Sequence, residues 1–151
     1  MKPSQTHIDA VSAMVQEMAR RYLLIETGLA SGVDDITKRE LQVIELVALY
    51  SVSTVTEVAH VGRVPLSTAS WIVSKLVDKG YLRRRPDPAD RRVIRLELGS
   101  GGERVLAVLN AAFDGMAQQI LQAAEPAEAE ALVALSIRLA QQLPAQPELT
   151  A

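Results

Sequence analysis

Between Tyr81 and Leu96 the chain carries six arginines, Arg83, Arg84, Arg85, Arg91, Arg92 and Arg95, against two acids, Asp87 and Asp90. Guanidinium groups at that density either knit local carboxylate pairs or meet a polyanion whose phosphates accept forked hydrogen bonds. Two carboxylates cannot occupy six guanidiniums, so a surplus of positive charge is left to face outward. The rest of the chain leans the other way. From Glu97 to Ala151 two arginines, Arg104 and Arg138, stand against seven acids, and the formal charge of the whole chain is −2. Such a distribution offers one face to a polyanion and repels it elsewhere.

A second group lies just upstream. Ser67, Thr68, Ser70, Trp71, Ser74 and Lys75 interleave with the apolar Leu66, Ala69, Ile72, Val73 and Leu76, a spacing that predicts a helix with one polar face. Pro65 suits the start of that helix, and nothing breaks it before Gly80. Short hydroxyls let a helix backbone come close to its partner and bond phosphates or base edges, while Lys75 can neutralise a phosphate or reach a guanine. Trp71 falls two positions before the core residue Val73 and is expected to be exposed towards the same partner. An ordinary solvent-facing helix would show similar hydroxyls; the adjacent basic segment favours a binding face. His60 reads as a surface or packing residue, and His7 carries no signal.

The elements that must position these groups follow from punctuation and period. Apolar residues at Ile8, Val11, Val15, Met18, Tyr22 and Ile25 predict an amphipathic helix from His7 to about Leu29, ended with the help of Gly28 and Gly32. A loop over 31–36 leads to Thr37 and Glu40, the spacing of a capping box, and a helix to about Tyr50. Thr54 and Glu57 repeat the pattern before a short helix that stops at Gly62. Two short helices joined by a tight turn are a helix-turn-helix. The period then changes. Tyr81–Arg84 and Val93–Leu98 read as strands separated by residues 86–90, a hairpin whose long tip is flanked by arginines. Helices are expected over Glu103–Ala123 and from Pro126 to about Pro144, followed by a frayed tail. The fold class expected is mainly α (α+β): a winged helix-turn-helix over about 37–98, flanked by helices at about 7–30 and 100–143. An α-helix fits the major groove of DNA, and a narrow arginine-bearing ribbon reaches phosphates or the adjacent minor groove.

The run from Leu82 to Leu98, with Asp87-Pro88-Ala89-Asp90-Arg91-Arg92 at its centre, resembles the wing signature of the multiple-antibiotic-resistance-regulator (MarR) family. Thr37 with Glu40, Val58-Ala59 and Leu76–Leu82 fall at corresponding places, whereas the outer helices agree in placement only. The resemblance implies a homodimer whose N- and C-terminal helices interleave, with two winged lobes presented to double-stranded DNA. It implies that Arg92 enters the minor groove, that Asp90 holds it in position, and that Arg84 supports the wing or meets a phosphate, with Arg91 beside them. It also implies a small aromatic or phenolic effector in a crevice between the dimerisation helices and the DNA-binding lobe, for which Met14, Met18, Arg21, Tyr22 and Tyr50 are candidates. Residues of these types at helical spacing are equally core residues. Ser74 departs from an Asp common in the family that ties the recognition helix to a wing arginine. Gly99 departs from a frequent Thr, which makes Ser100 the expected cap of the next helix.

Other classes of function lack support. Without cysteine there is no thiolate metal site or disulfide, and the two histidines stand in no ligand pair, so neither metal nor cofactor is expected. No nucleophile–base constellation is apparent, and Gly99–Gly102 lacks the lysine of a phosphate-binding loop. The polar Met1–Asp9 is no secretory signal, and no apolar run is long enough to span a membrane, so a cytoplasmic protein is expected. The rival to a palindrome-binding repressor is a winged-helix module that binds protein and has no specific DNA site.

Overall fold

The computed structural model describes residues 2–32, 36–50 and 52–142, with the side chains of 30–32 left aside. It holds six helices and one hairpin: α1 (Gln5–Gly32), α2 (Lys38–Leu49), α3 (Val55–Val61), α4 (Leu66–Asp78), β1 (Leu82–Pro86), β2 (Ile94–Leu98), α5 (Ser100–Ala123) and α6 (Pro126–Gln142). The expected class, mainly helical with a two-stranded wing, is the one observed. The tail beyond 143 and the centre of the loop at 33–35 lie outside the described residues.

Both capping boxes form. The Thr37 hydroxyl accepts from the Glu40 amide at 3.3 Å, and the Glu40 carboxylate accepts from the Thr37 amide at 2.7 Å. At α3 the Thr54 hydroxyl accepts from the Glu57 amide at 3.2 Å, and Glu57 accepts from the Thr54 and Ser53 amides at 3.1 and 2.7 Å. These bonds satisfy amides that a helix start leaves open. The turn between α3 and α4 is tight: the Gly62 amide donates to the Val58 carbonyl and the Val64 amide to the Ala59 carbonyl. A Cβ on Gly62 would stand 2.7 Å from the Val58 carbonyl oxygen, so only glycine fits there.

Two local expectations are corrected. Gly28 lies within α1, which runs on to Gly32, because Gly28 does not adopt the positive φ that would stop the helix there. Ser100 does not cap α5; it is the first helical residue, and Gly99 takes the cap position without a side-chain bond. The reason is packing. A Cβ at Gly99 would fall 2.4 Å from the Gly80 carbonyl oxygen, and one at Gly102 would fall 2.4 Å from that of Tyr81. The glycine-rich run lets α5 press on the turn that enters the hairpin.

The core gathers Leu41 and Ile44 of α2, Val58 of α3, Val73 and Leu76 of α4, Leu82 and Leu96 of the hairpin, and Val105 and Leu109 of α5. The outer helices are different. α6 buries no residue, and α1 and α5 expose Ile8, Val11, Leu24 and Val108 among others. A long run of apolar side chains left open to water marks an association surface.

Where α1 meets α2, two acids are buried, Glu26 and Glu45. Glu26 pairs with Lys38 at 3.3 Å. Glu45 accepts from the Tyr22 hydroxyl, but its Oε1 is buried without a hydrogen-bond partner. Burial pushes the Glu45 carboxyl up from its ordinary value, with repulsion from Glu26 adding to it. A raised folded-state value favours the proton in the native state. The stabilisation is therefore present below pH 4.5 and is lost as pH rises through the folded-state value. Glu45→Gln removes the ionisation, so it is expected to raise the melting temperature at pH 8 by about 3 °C, for ~1 kcal/mol. The gain should vanish near pH 4. A thermal melt at both pH values checks this, and a variant less stable than wild type at pH 8 would contradict it.

Candidate nucleic-acid interface

The face that α4 turns to solvent is set by what its other face must bury. Ala69, Ile72, Val73 and Leu76 are in the core. At 100° per residue this leaves Ser67, Ser70, Trp71, Ser74 and Lys75 along an outer stripe. Ser67, Ser70 and Trp71 are exposed, Trp71 at 64% of its surface, while Thr68, Ser74 and Lys75 are half-buried at the margins. The indole stands open to water on a helix whose opposite face is fully packed.

The hairpin stands against one margin of that stripe. Its register pairs Leu82 with Leu98, Arg84 with Leu96 and Pro86 with Ile94. This points Leu82 and Leu96 into the core, puts Arg84 on the same face and sends Arg83 and Arg85 out. Arg84 reaches back to α4 and donates from Nη2 to the Ser74 hydroxyl at 2.9 Å. A hydroxyl thus makes the helix-to-wing tie at the position where the resemblance led one to look for a carboxylate. Arg83 and Arg85 both pair with Glu97, at 3.0 and 3.4 Å.

The tip of the wing is built around Asp87, which sequence reasoning treated only as one of two local acids. It is buried. Its Oδ1 accepts from the amides of Ala89 at 2.7 Å and Asp90 at 3.2 Å, and its Oδ2 pairs with Arg95. The Arg95 guanidinium beside it, followed by those two amides, holds its carboxyl below the ordinary value. Arg95 also donates to the Ser53 hydroxyl at 2.8 Å, and the Leu96 amide donates to the Ser53 carbonyl at 2.7 Å. The wing is thereby fastened to the start of α3. Asp90 accepts from the backbone amide of Arg92 at 3.0 Å, so it fixes the turn and not the guanidinium. Arg91 and Arg92 are exposed at the tip and make no ion pair among the described residues.

Lys75 is placed differently from the expectation of an open phosphate contact. Its Nζ lies 3.1 Å from Glu40 Oε1 and 5.2 Å from the centre of the Trp71 ring. Glu40, 1% exposed, also holds Lys79 at 3.2 Å. Burial alone would raise the Glu40 carboxyl. The Thr37 amide, the Lys75 ammonium, the Thr37 hydroxyl and Lys79 outweigh burial and bring the carboxyl to about 2. One carboxylate therefore caps α2, ties α2 to α4 and steadies the Trp71–Lys75 pair. The signal for it was the capping box, which explains only the first of these tasks.

The five candidate ligand residues separate into groups. Met14 and Met18 line an apolar cavity of about 400 Å³ with Ile120, Leu132 and Ile137. Arg21 is held by Glu17 and by Gln119, each at 2.7 Å. Tyr22 stacks on Phe113, centroids 6.1 Å apart, and donates to Glu45, while Tyr50 ends α2. Among the described residues no group of histidines or acids could hold a metal ion.

Residues 34–93 match the model of the MarR family. No curated protein sequence matches the chain significantly. Solved structures match along most of its length. The transcriptional regulator Tm0710 from Thermotoga maritima is 20% identical with a TM-score of 0.63, covering 88% of this chain and 93% of that one. FabT of Streptococcus pneumoniae, in complex with DNA, is 23% identical with a TM-score of 0.60, covering 89% and 95%. MepR of S. aureus, bound to ethidium bromide, is 18% identical with a TM-score of 0.58, covering 88% and 96%. At these identities the likeness is one of fold. The matched segment runs from just before α2 through α3, α4 and β1 to the wing tip and stops before β2; over it the chain resembles the MarR family, and the solved transcriptional regulators share its fold.

Proposed function

We propose that the chain is a sequence-specific DNA-binding regulator that acts as a homodimer and represses transcription by occupying a roughly palindromic operator. The observation that carries this reading is the tie between Ser74 and Arg84, which joins the exposed stripe of α4 and the wing into one surface. On it α4 enters a major groove with Ser67, Thr68, Ser70 and Trp71 towards the bases, and Arg91 and Arg92 reach the neighbouring minor groove. FabT, similar in fold, is solved with DNA.

The apolar faces of α1, α5 and α6 supply the dimer contact, dividing the chain into a DNA-binding lobe over about 37–98 and dimerisation helices over about 7–30 and 100–143. A two-fold dimer offers two recognition helices about one helical turn apart. A small aromatic effector would release DNA by binding more tightly to the spacing that does not fit the operator. Of the candidate residues, Met14 and Met18 line an apolar cavity among α1, α5 and α6 and not against the DNA-binding lobe, and MepR, similar in fold, is solved with ethidium bromide. No described helix is long and apolar enough to cross a membrane, and a regulator of this kind works in the cytoplasm beside the chromosome.

The test is a titration of a labelled duplex from the region upstream of the protein's own coding sequence against a random duplex of equal length, over a range of salt. The upstream duplex should bind more tightly by ~10³-fold or more, with log affinity falling linearly with log salt. Equal affinity for the two duplexes would overturn the reading and favour a protein-binding module.

A further inference from the structure

A helix seated in a major groove has a phosphate strand on each side, and the wing attends to one. On α4, Ser74 and Lys75 border the outer stripe on opposite sides of Trp71. Ser74 faces the wing through Arg84, whereas Lys75 faces α2 through Glu40. The first turn of α2 therefore runs along the edge of α4 that the wing leaves open.

That edge holds a cavity of about 180 Å³ between α2, the α3–α4 turn and α4. Its floor is apolar, from Val43, Val58 and Ile72, and its polar side chains are Arg39, Gln42 and Arg63, all exposed. Among the described residues no carboxylate lines it. Glu40, next to Arg39 in sequence, is turned towards Lys75 and Lys79 instead. Two guanidiniums and an amide, from α2 and the α3–α4 turn, thus line one depression, the donor set that recognises a phosphodiester.

Arg63 carries a further mark. It sits at φ 50°, and among the described residues it alone of those other than glycine has a positive φ. The left-handed region costs an L side chain free energy that glycine does not incur. Backbone strain of this kind clusters at functional sites.

We propose that Arg39, Gln42 and Arg63 form a second phosphate-binding site that grips the DNA strand across the groove from the wing. The inference rests on the DNA-binding reading above. The site reads no sequence: it adds affinity and fixes how far α4 tilts in the groove.

The test compares wild type, Arg39→Ala, Arg63→Ala, the double variant and the two Arg→Lys variants on the upstream and random duplexes over a range of salt. Circular dichroism melts confirm that each variant folds. Each alanine should weaken both duplexes by the same factor, about three- to tenfold, and lower the salt slope by about one unit, the double variant by about two. The ratio between duplexes should stay unchanged, and lysine should restore most of the slope. A folded double variant with wild-type affinity and slope would overturn the site while leaving the regulator reading intact. A changed ratio between duplexes would also overturn it, by making these base contacts. Competition by inorganic phosphate at constant ionic strength would assign the depression to a free anion instead. Should wild type fail to tell the duplexes apart, the regulator reading falls, and the slopes on random duplex still decide the phosphate site.

Discussion

Asp87→Ala is expected to weaken binding to the upstream duplex about a hundredfold while moving the melting temperature by less than about 2 °C. The carboxylate is the buried group around which the wing tip is built, through the amides of Ala89 and Asp90 and the guanidinium of Arg95. Without it the exposed Arg91 and Arg92 must be ordered at the moment of binding, at about 0.5–1.5 kcal/mol for each side chain together with the loop that carries them. A loss of ~2.7 kcal/mol is a factor of about a hundred. The core elements behind the wing do not depend on these bonds, so the fold holds. Asp87→Asn keeps the Oδ1 acceptor and should recover part of the loss. Wild-type affinity for the alanine variant, measured by fluorescence anisotropy, would show that the tip needs no internal support.

Glu40→Ala is expected to be the most destabilising polar substitution among the described residues, at about 3 kcal/mol, or roughly 10 °C in melting temperature. It removes the reciprocal cap of α2 and leaves Lys75 and Lys79 without their common partner. The sign with pH is fixed by the depressed carboxyl. Its stabilisation is fully present above the ordinary value of 4.5 and is lost as pH falls towards about 2. Glu40→Gln should accordingly be less stable than wild type at pH 7, with the gap closing in acid. Urea melts at pH 7 and pH 3 read this directly, and a gap that stays constant with pH would show that the charge on Glu40 carries none of the stability.

The order of elements was legible because each boundary carried its own chemistry. Thr37 with Glu40 and Thr54 with Glu57 cap helices in the structure as their spacing requires, and Gly80 takes the positive φ of 77° that ends α4. The outward stripe of α4 followed from the apolar positions behind it. What local patterns did not disclose were roles that depend on distant partners. Nothing near Glu40 in sequence shows that it meets Lys75 and Lys79, and nothing near Arg95 points to Ser53, 42 residues away. The start of α5 was misread for a similar reason: a serine looks like a cap, but the close approach of Gly99 and Gly102 to the Gly80 and Tyr81 carbonyls decides the geometry. Tyr22 and Met18 look alike as spaced apolar residues, yet one joins a buried polar pair and the other an apolar cavity.

Footprinting on the region upstream of the protein's own gene, with hydroxyl radicals at single-nucleotide resolution, measures most directly whether the wing and α4 form one DNA-reading surface. The result expected is two protected half-sites whose centres lie about one helical turn apart, each with protection running from major groove into flanking minor groove. Protection spread evenly along the duplex, or none at concentrations that saturate binding, would contradict the assignment of this surface to operator recognition.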